Sequence, residues 1–246
     1  MLARWMHRPD RATHLRDYED MRDVSPDAVG EQTLAFGLEP ERTALIVIDM
    51  QYASACRDTG LGRWLAENGR SGEGAYRFDR VEQLLVPNIT RLLGAFRAAG
   101  LPCVFVRLGA QMAGCRDLIP HIRELETAFG NLSGEREYEI LDSLAPEAGE
   151  PVITKLSASA FTSSGFDALL RNLGVTTLVF TGVSTSQCVD LTARDAADRG
   201  YRSVIIEDAV AEDRPEWHEA TLEQFERLFG RVEATDALIQ ELAEIA

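Results

Sequence analysis

The stretch from Thr176 to Asp208 constrains the fold more than any other part of the chain. Its sequence is TTLVFTGVSTSQCVDLTARDAADRGYRSVIIED. The apolar, β-branched run Thr177 to Thr181 predicts a buried parallel strand. The spacing of apolar residues after it predicts a helix from Thr185 to Arg199, which a glycine ends. The apolar run Ser203 to Ile206 predicts the next strand, so the stretch forms a strand–helix–strand unit.

Apolar runs and helical periodicity alternate along the rest of the chain as well. Further buried strands are predicted at Thr43 to Asp49, Leu101 to Leu108, Val152 to Lys155 and Arg231 to Ala234. Further helices are predicted at Val81 to Ala99, Phe166 to Asn172, Glu216 to Phe229 and Ala237 to Ile245. Residues 109–150 are less periodic. Strands that alternate with helices predict an α/β fold, a doubly wound parallel sheet with helices on both faces.

The chain is long enough for one large α/β domain with a substantial core, since 45% of its 246 residues are hydrophobic. Residues 1–40 are highly charged and contain few apolar residues. We expect them to form an N-terminal arm or extension, and residues 41–246 to form the folded domain. Such an arm either lies across a neighbouring subunit or is mobile, and its sequence favours neither.

Charge and cysteine content limit the partners. The net charge of −15 disfavours nucleic acid and anionic membrane surfaces, which bind excess Lys and Arg. The four cysteines form no CxxC pair and no zinc spacing with the four histidines. We therefore expect free thiols and a cytoplasmic location. No apolar run is long enough for a membrane helix, and the N-terminus has no apolar core typical of a signal peptide.

Cys188 lies in the first turn of the predicted helix Thr185 to Arg199. The unpaired N–H groups and the positive end of the helix dipole at that place stabilise a thiolate. We therefore expect the pKa of Cys188 to lie below that of a free cysteine. The alternative is a buried cysteine that packs as a small apolar residue, and position alone leaves both open.

Three ionisable residues lie at or just after the ends of predicted strands: Asp49, Lys155 and Cys188. In a parallel sheet, functional groups gather at the carboxyl ends of the strands. A carboxylate, an ammonium group and a thiol at one crevice would provide a proton acceptor, an orienting cation and a nucleophile. Taken singly, Asp49 also fits a helix N-cap and Lys155 a surface lysine. If another strand lies between theirs, their backbones are about 9–10 Å apart.

Three spaced motifs resemble the isochorismatase-like cysteine hydrolase superfamily. They are IDMQ at 48–51, the lone Lys155 ahead of SAF at 159–161, and TGVSTSQCV at 181–189. The segments TARDAADRGY and EDAVA continue the resemblance, which covers roughly residues 41–240. It implies a catalytic triad of Asp49, Lys155 and Cys188. It also implies a six-stranded, Rossmann-like parallel sheet in the order 3-2-1-4-5-6.

The resemblance also implies a mechanism and a substrate class. A cis peptide between Val183 and Ser184 would aim the backbone N–H groups of Ser184 and Cys188 at the substrate oxygen. Cys188 would attack the carbonyl of a small linear amide, ureido or carbamoyl compound, form a thioester and release ammonia or an amine. Members of this superfamily commonly form dimers or tetramers, so a homo-oligomer is expected.

Departures from relatives narrow the expected activity. Nicotinamidases of this superfamily bind a metal through an Asp and two His after the second strand. Here that region is RLGAQMAGCRD, with no histidine before His121, so no metal and no cofactor are expected. True isochorismatases typically lack the cysteine that is present here as Cys188. The pattern is more similar to the branch that acts on ureidoacrylate, biuret, triuret or N-carbamoylsarcosine.

Five residues are candidates for binding the substrate, and three of them also have an ordinary structural explanation. Gln51 and Gln187 would hydrogen-bond a carbamoyl group, although Gln187 also fits a solvent-facing helix position. Arg107 would pair with a substrate carboxylate or with one of the many acids of the chain. Tyr52 and Phe161 would form pocket walls, although an aromatic residue such as Phe161 is more often part of the core.

Two classes of alternative remain at this point. One is an isochorismatase-type hydrolase of another small metabolite. The other is a protein without hydrolytic activity, either a thiol or redox protein that uses Cys188 or a non-catalytic member that serves assembly. The absence of a second cysteine near Cys188 in the sequence argues against redox sensing. The combination of Asp49, Lys155 and Cys188 argues against a non-catalytic member.

Overall fold

A computed structural model of the protein describes residues 36–245. The predicted arm over residues 1–40 therefore lies almost entirely outside the described residues. Within the described part, no helix combines the length and the apolar character needed to cross a membrane.

Six parallel strands form one sheet in the order β3–β2–β1–β4–β5–β6. The predicted doubly wound sheet and its strand order are confirmed. The fifth strand is longer than its apolar core suggests, because it continues past two acidic residues. The strands are β1 Thr43–Ile48, β2 Cys103–Leu108, β3 Val152–Lys155, β4 Thr177–Val183, β5 Arg202–Ala211 and β6 Gly230–Glu233.

Eight α-helices connect or flank these strands in the described part of the chain. They are α1 Gly60–Glu67, α2 Ala75–Arg80, α3 Val86–Ala98, α4 Pro120–Phe129, α5 Phe166–Leu173, α6 Asp190–Asp198, α7 Pro215–Glu226 and α8 Thr235–Ile245. A π-helical turn, Val81–Leu85, joins α2 to α3, so this helical segment begins earlier than predicted. A second π-helical turn, Thr185–Val189, leads into α6.

Two helices, α1 and α4, have no counterpart in the sequence predictions. Helix α1 contains two glycines, which weaken its helix signal. Both glycines pack against backbone, since a Cβ on Gly60 or Gly62 would lie within about 2.2 Å of a carbonyl oxygen. Helix α4 has no fully buried residue.

The sheet is covered on both faces, because its side chains alternate between two cores. Leu45 and Val47 of β1 pack with α3 and α8 on one face. Ala44, Ile46 and Ile48 pack with α5, α6 and α7 on the other face. Every residue of β1 is buried, which explains its continuous apolar sequence.

Gly182 brings the end of β4 against the end of β1. Its φ is 109°, and a Cβ at this position would lie 1.9 Å from the carbonyl oxygen of Ile48. The pairing of β4 with β5 also shifts between Phe180 and Gly182. Only glycine permits this close approach, which places the chain after β4 beside the residue that follows β1.

Candidate active site

Asp49 follows β1 directly and carries a carboxylate that is almost completely buried. Its backbone N–H donates to the carbonyl of Val106 at 2.8 Å, and Ser54 Oγ donates to the Asp49 carbonyl. The carboxylate oxygen Oδ2 lies 2.9 Å from Nζ of Lys155. The other oxygen, Oδ1, is buried and accepts no hydrogen bond from the described residues. Asp49 therefore holds one carboxylate oxygen available for a proton.

Lys155 ends β3 and is completely buried. Strand β2 lies between β3 and β1, and the lysine side chain bridges the intervening distance. Its Nζ lies 2.9 Å from Asp49 Oδ2 and 3.2 Å from Cys188 Sγ, and donates to the Ser157 carbonyl at 3.2 Å. Burial alone would lower the pKa of Lys155, but the Asp49 carboxylate and the Cys188 side chain raise it above its ordinary value. The direction of this shift favours the ammonium form of Lys155.

Cys188 lies in the π-helical turn after β4 and has a pKa opposite in direction to the sequence prediction. Burial, followed by the charge of the Asp49 carboxylate, raises the pKa of the thiol to about 12. The Lys155 ammonium lowers this pKa, but by less than burial and Asp49 raise it. The prediction of a lowered pKa is therefore wrong, and Cys188 is a neutral thiol in the resting site.

Glu212 places a second carboxylate at the start of the helix that carries Cys188. This carboxylate is completely buried. It accepts hydrogen bonds from the backbone N–H of Ser186 at 2.9 Å and of Asp213 at 2.8 Å. An N–H group of the first turn is thus already paired with a negative charge. No motif in the sequence marks Glu212, which directly follows the EDAVA segment.

The peptide bond between Val183 and Ser184 is cis. The Ser184 hydroxyl accepts a hydrogen bond from Arg77 Nη2 at 2.7 Å. Arg77 also donates to Asp213 at 2.7 Å and to the Ser54 carbonyl at 3.1 Å. Arg77 is 4% exposed, although an arginine on a helix normally predicts a surface residue. It links α2 to the loops that follow β1, β4 and β5.

A cavity of about 490 Å³ opens above Asp49 and Cys188. Apolar and aromatic side chains form much of its wall, including Trp64, Phe129 and Trp217. Charged residues also line it. Arg70, Glu73, Arg77, Glu126, Asp213 and Arg214 belong to this group.

Two of the five predicted substrate-binding residues, Gln51 and Gln187, line this cavity. Gln51 is completely buried, and its amide is already engaged. Nε2 donates to the carbonyls of Leu108 at 2.9 Å and Tyr138 at 2.8 Å, and Oε1 accepts from the Leu108 N–H at 2.9 Å. Gln51 therefore connects backbone segments, and its hydrogen-bonding groups are occupied within the protein.

The other three predicted substrate-binding residues lie outside the cavity lining of the described chain. The Tyr52 hydroxyl accepts a hydrogen bond from Arg136 at 2.5 Å. Arg107 lies 3.2 Å from Glu139, so the ion-pair alternative applies. Phe161 is 9% exposed and packs in the core on the face of α5, α6 and α7. Each side chain is committed to a contact within the protein, which takes it away from the cavity.

Glu126 on α4 lines the cavity and is not among the predicted site residues. Its Oε2 accepts a hydrogen bond from Asn131 Nδ2 at 2.7 Å. Burial raises the pKa of the Glu126 carboxyl to about 6. No motif marks this residue, because it lies in the weakly periodic segment 109–150. Elsewhere among residues 36–245, no three His, Cys, Asp or Glu side chains are grouped as metal ligands.

The sequence was compared with models of known protein families. The isochorismatase domain matches residues 43–237. The chain belongs to the isochorismatase family. This membership confirms the predicted superfamily and the prediction that the protein is an enzyme of the hydrolase class. The matched region spans all of the six strands described above.

Curated relatives are similar over most of their length. The ureidoacrylate amidohydrolase RutB of Pseudomonas syringae pv. syringae (strain B728a) is 32% identical over 216 residues, which cover 81% of this chain and 83% of that protein. RutB of Serratia proteamaculans (strain 568) is 32% identical over 244 residues, which cover 91% of this chain and 94% of that protein. Relatives named for amide hydrolysis support the C–N bond class of hydrolase.

Solved structures share the fold. A cysteine hydrolase from Pseudomonas syringae pv. phaseolicola 1448A superimposes with a TM-score of 0.70 at 25% identity, over 88% of this chain and 99% of that chain. N-carbamoylsarcosine amidase from Thermoplasma acidophilum superimposes with a TM-score of 0.58 at 29% identity, over 79% of this chain and 97% of that chain. The doubly wound sheet is thus the fold of this hydrolase family.

Proposed function

We propose that this protein is a cysteine-dependent amidohydrolase that cleaves a C–N bond of a small linear amide, ureido or carbamoyl compound. One observation carries the proposal: Nζ of Lys155 contacts both Asp49 and Cys188 at the base of a cavity of about 490 Å³. A proton acceptor, a cation and a thiol then meet where a small carbonyl compound has room to bind.

The first chemical step forms a carbon–sulfur bond. Because the resting thiol is neutral, Asp49 accepts its proton on Oδ1 as Cys188 Sγ attacks the carbonyl carbon. Lys155 remains an ammonium ion and stabilises the charge that moves between carboxylate and sulfur. The backbone N–H groups of Ser184 and Cys188 hold the oxyanion, a contribution of about 2.7–4 kcal/mol per donor in other enzymes.

The second step breaks the carbon–nitrogen bond. Asp49 returns the proton to the leaving nitrogen, which departs as ammonia or an amine and leaves a thioester on Cys188. A water molecule then gives a proton to Asp49 and attacks the thioester carbonyl. The acid product leaves, and the proton returns to the Cys188 sulfur. The site needs no further reactant.

A carboxylate on the substrate fits the charge distribution of the cavity. Arg70 pairs with Glu73 at 2.7 Å, and Arg77 pairs with Asp213 at 2.7 Å. Arg214, which follows β5, lines the same cavity, with its guanidinium carbon 5.0 Å from the ring centroid of Trp217. Its charge helps to lower the pKa of Glu73, but no carboxylate oxygen of the described residues lies within ion-pair distance of it. It is therefore available to bind an anionic group. Ureidoacrylate and N-carbamoylsarcosine, for which two of the similar proteins are named, both combine a carbamoyl group with a carboxylate.

The proposal is tested by measuring ammonia release from ureidoacrylate, N-carbamoylsarcosine, biuret and triuret. We expect turnover of at least one of these compounds by the wild-type protein, and none by Cys188→Ala. Cys56→Ala is the matched control, because Cys56 is a half-buried cysteine outside the cavity lining. Mass spectrometry of the quenched reaction should show an acyl adduct on Cys188.

Unchanged turnover by Cys188→Ala would exclude covalent catalysis by this residue. Hydrolysis of another metabolite without release of ammonia or an amine would instead favour the isochorismatase-type alternative. Reversible oxidation of Cys188 without any hydrolysis would favour the thiol or redox alternative.

A further inference from the structure

Glu126 presents a carboxylate oxygen to the cavity with no partner among the described residues. Its Oε2 accepts the hydrogen bond from Asn131. Its Oε1 accepts no hydrogen bond from the described residues, and it is not one of the unpaired polar atoms that are fully buried. Glu126 lines the cavity, and Oε1 is its carboxylate oxygen without a partner from the described residues. A carboxylate that is largely removed from water needs hydrogen-bond donors, and the protein provides one of its oxygens with none.

Buried amides hold this carboxylate in place. Asn131 is 2% exposed, and its Oδ1 lies 3.4 Å from Nε2 of Gln51. Gln51 is in turn held by the backbone of Leu108 and Tyr138. The Asn131 backbone N–H also donates to the Glu126 carbonyl at 3.0 Å. The chain from Gln51 through Asn131 to Glu126 thus orients the carboxylate before any substrate arrives.

Strand order separates Glu126 from the unpaired arginine of the cavity. Glu126 lies in the connection between β2 and β3, whereas Arg214 follows β5. Asp49 and Cys188 follow β1 and β4, which are the central pair of the sheet order β3–β2–β1–β4–β5–β6. The reacting thiol therefore lies between a connection that carries a carboxylate and a connection that carries a guanidinium group.

We propose that Oε1 of Glu126 accepts a hydrogen bond from an N–H group of the substrate, so that the cavity selects compounds with an N–H donor at the end opposite a carboxylate. The inference rests on the proposed function of the site. An amide, ureido or carbamoyl end satisfies the oxygen, because a charge-assisted hydrogen bond replaces lost hydration. An ester has no such donor, and a second carboxylate is repelled.

Kinetics with ureidoacrylate test the inference on the intact protein. Glu126→Gln keeps the size of the side chain but removes its charge. If the amide oxygen accepts the hydrogen bond from Asn131, the amide NH₂ group takes the place of Oε1 and is a donor. We expect KM to rise about tenfold or more, with kcat changed by less than about threefold. Glu124→Gln, an exposed residue on the same helix, should leave both constants unchanged. Asn131→Ala, which releases the carboxylate, should raise KM by a smaller factor.

Binding to a protein without the nucleophile gives an answer that is independent of turnover. Calorimetry with Cys188→Ala compares fumaramate with monomethyl fumarate, which differ in an NH₂ group against an OCH₃ group. We expect fumaramate to bind at least about fivefold more tightly, and Cys188→Ala/Glu126→Gln to lose this preference.

Three results would overturn the inference: equal affinity for the two compounds in Cys188→Ala, a preference that survives the Glu126 substitution, or binding of neither compound. The proposed function fails in a different way. A wild-type protein that hydrolyses nothing, while the preference for fumaramate is present and depends on Glu126, would leave the N–H recognition standing without the amidohydrolase chemistry.

Discussion

The raised pKa of Cys188 determines the order of events in the proposed mechanism. A preformed thiolate would attack without help, whereas a buried neutral thiol must lose its proton as it reacts. Asp49 has an oxygen free of hydrogen bonds from the described residues for this proton. The same negative charge that raises the pKa of the thiol therefore provides the base that removes its proton.

Substitution of Asp49 should separate these two effects. In Asp49→Asn the carboxylate that raises the pKa of Cys188 is gone, while the Lys155 ammonium remains within 3.2 Å of the sulfur. We expect the pKa of Cys188 to fall and ammonia release to drop by about 10²–10⁴-fold. Ultraviolet absorbance of the thiolate, measured against pH, follows the first effect. The double variant Asp49→Asn/Cys188→Ala gives the absorbance of all other groups, which is subtracted. A Cys188 thiolate that appears at a higher pH than in wild type would contradict the expectation.

The position of Arg214 predicts that its substitution changes KM according to the charge of the substrate. If its guanidinium group binds a substrate carboxylate, Arg214→Gln should raise KM for ureidoacrylate about tenfold and leave KM for uncharged biuret within about twofold. Steady-state kinetics with both substrates measure the difference. Arg227→Gln, an exposed arginine just after α7, is the matched control. Equal changes in KM for the two compounds would show that Arg214 acts on cavity shape and not on charge.

At the scale of elements, α7 supports the turn that carries Cys188. His218 on α7 is 6% exposed, and its Nδ1 lies 3.0 Å from Oγ1 of Thr185 in the π-helical turn. Burial, and the charge of Arg80 at 3.3 Å from Nε2, lower the pKa of His218 to about 4. The histidine is therefore neutral in the folded protein at neutral pH and joins two elements of the site.

This lowered pKa predicts an acid-dependent loss of stability. The folded protein keeps His218 neutral down to about pH 4, whereas the unfolded chain protonates it near pH 6.5. Its contribution is fully present above about pH 6.5 and is lost between there and about pH 4, by at most about 3 kcal/mol. Urea unfolding of His218→Asn across this range should show a shallower pH dependence than wild type. His121→Asn, at an exposed position, should match wild type, and a parallel response of both variants would contradict the prediction.

At the scale of the whole molecule, the sheet, both cores and the cavity are built from residues 36–245. The residues just before β1 contribute to this domain. The Leu38 N–H donates to Glu241 at 2.7 Å, and Arg231 donates to the Phe36 carbonyl at 2.6 Å. Residues 36–40 therefore contact the folded domain, and the division of the chain at residue 41 stays a prediction.

Truncation tests this boundary. A chain that starts at Phe36 should keep its melting temperature and ammonia release, whereas a chain that starts at Glu41 loses buried Leu38 and its hydrogen bond. We expect the shorter chain to be less stable by about 1–3 kcal/mol. Thermal unfolding and light scattering on both chains, with the full chain as control, measure stability and oligomer size together. If the protein is a homo-oligomer that dissociates, but stays folded, on loss of residues 1–35, an arm across a neighbouring subunit is supported. If the chain that starts at Phe36 does not fold, the predicted stability of this shorter chain is contradicted.

The sequence by itself determined the strands and most helices. The order of the sheet followed from the resemblance of its motifs to a known superfamily. Strands such as β1 and β4 are continuous apolar runs, and apolar spacing is a local property that needs no knowledge of the rest of the chain. It also pointed to Asp49, Lys155 and Cys188, whose side chains the structure brings into contact. These residues stand at strand ends, where a parallel sheet gathers side chains from distant segments.

Only the tertiary structure decided the electrostatics and the lining of the cavity. The pKa of Cys188 depends on burial and on Asp49, which lies far away in the sequence. Gln51 had the right chemistry for substrate binding, but backbone from β2 and the loop after α4 occupies its amide. Glu126 has no local signal, because its place in the cavity wall and its contact with Asn131 arise only from packing. Solvation and distance between remote residues are properties of the packed chain, and no local pattern encodes them.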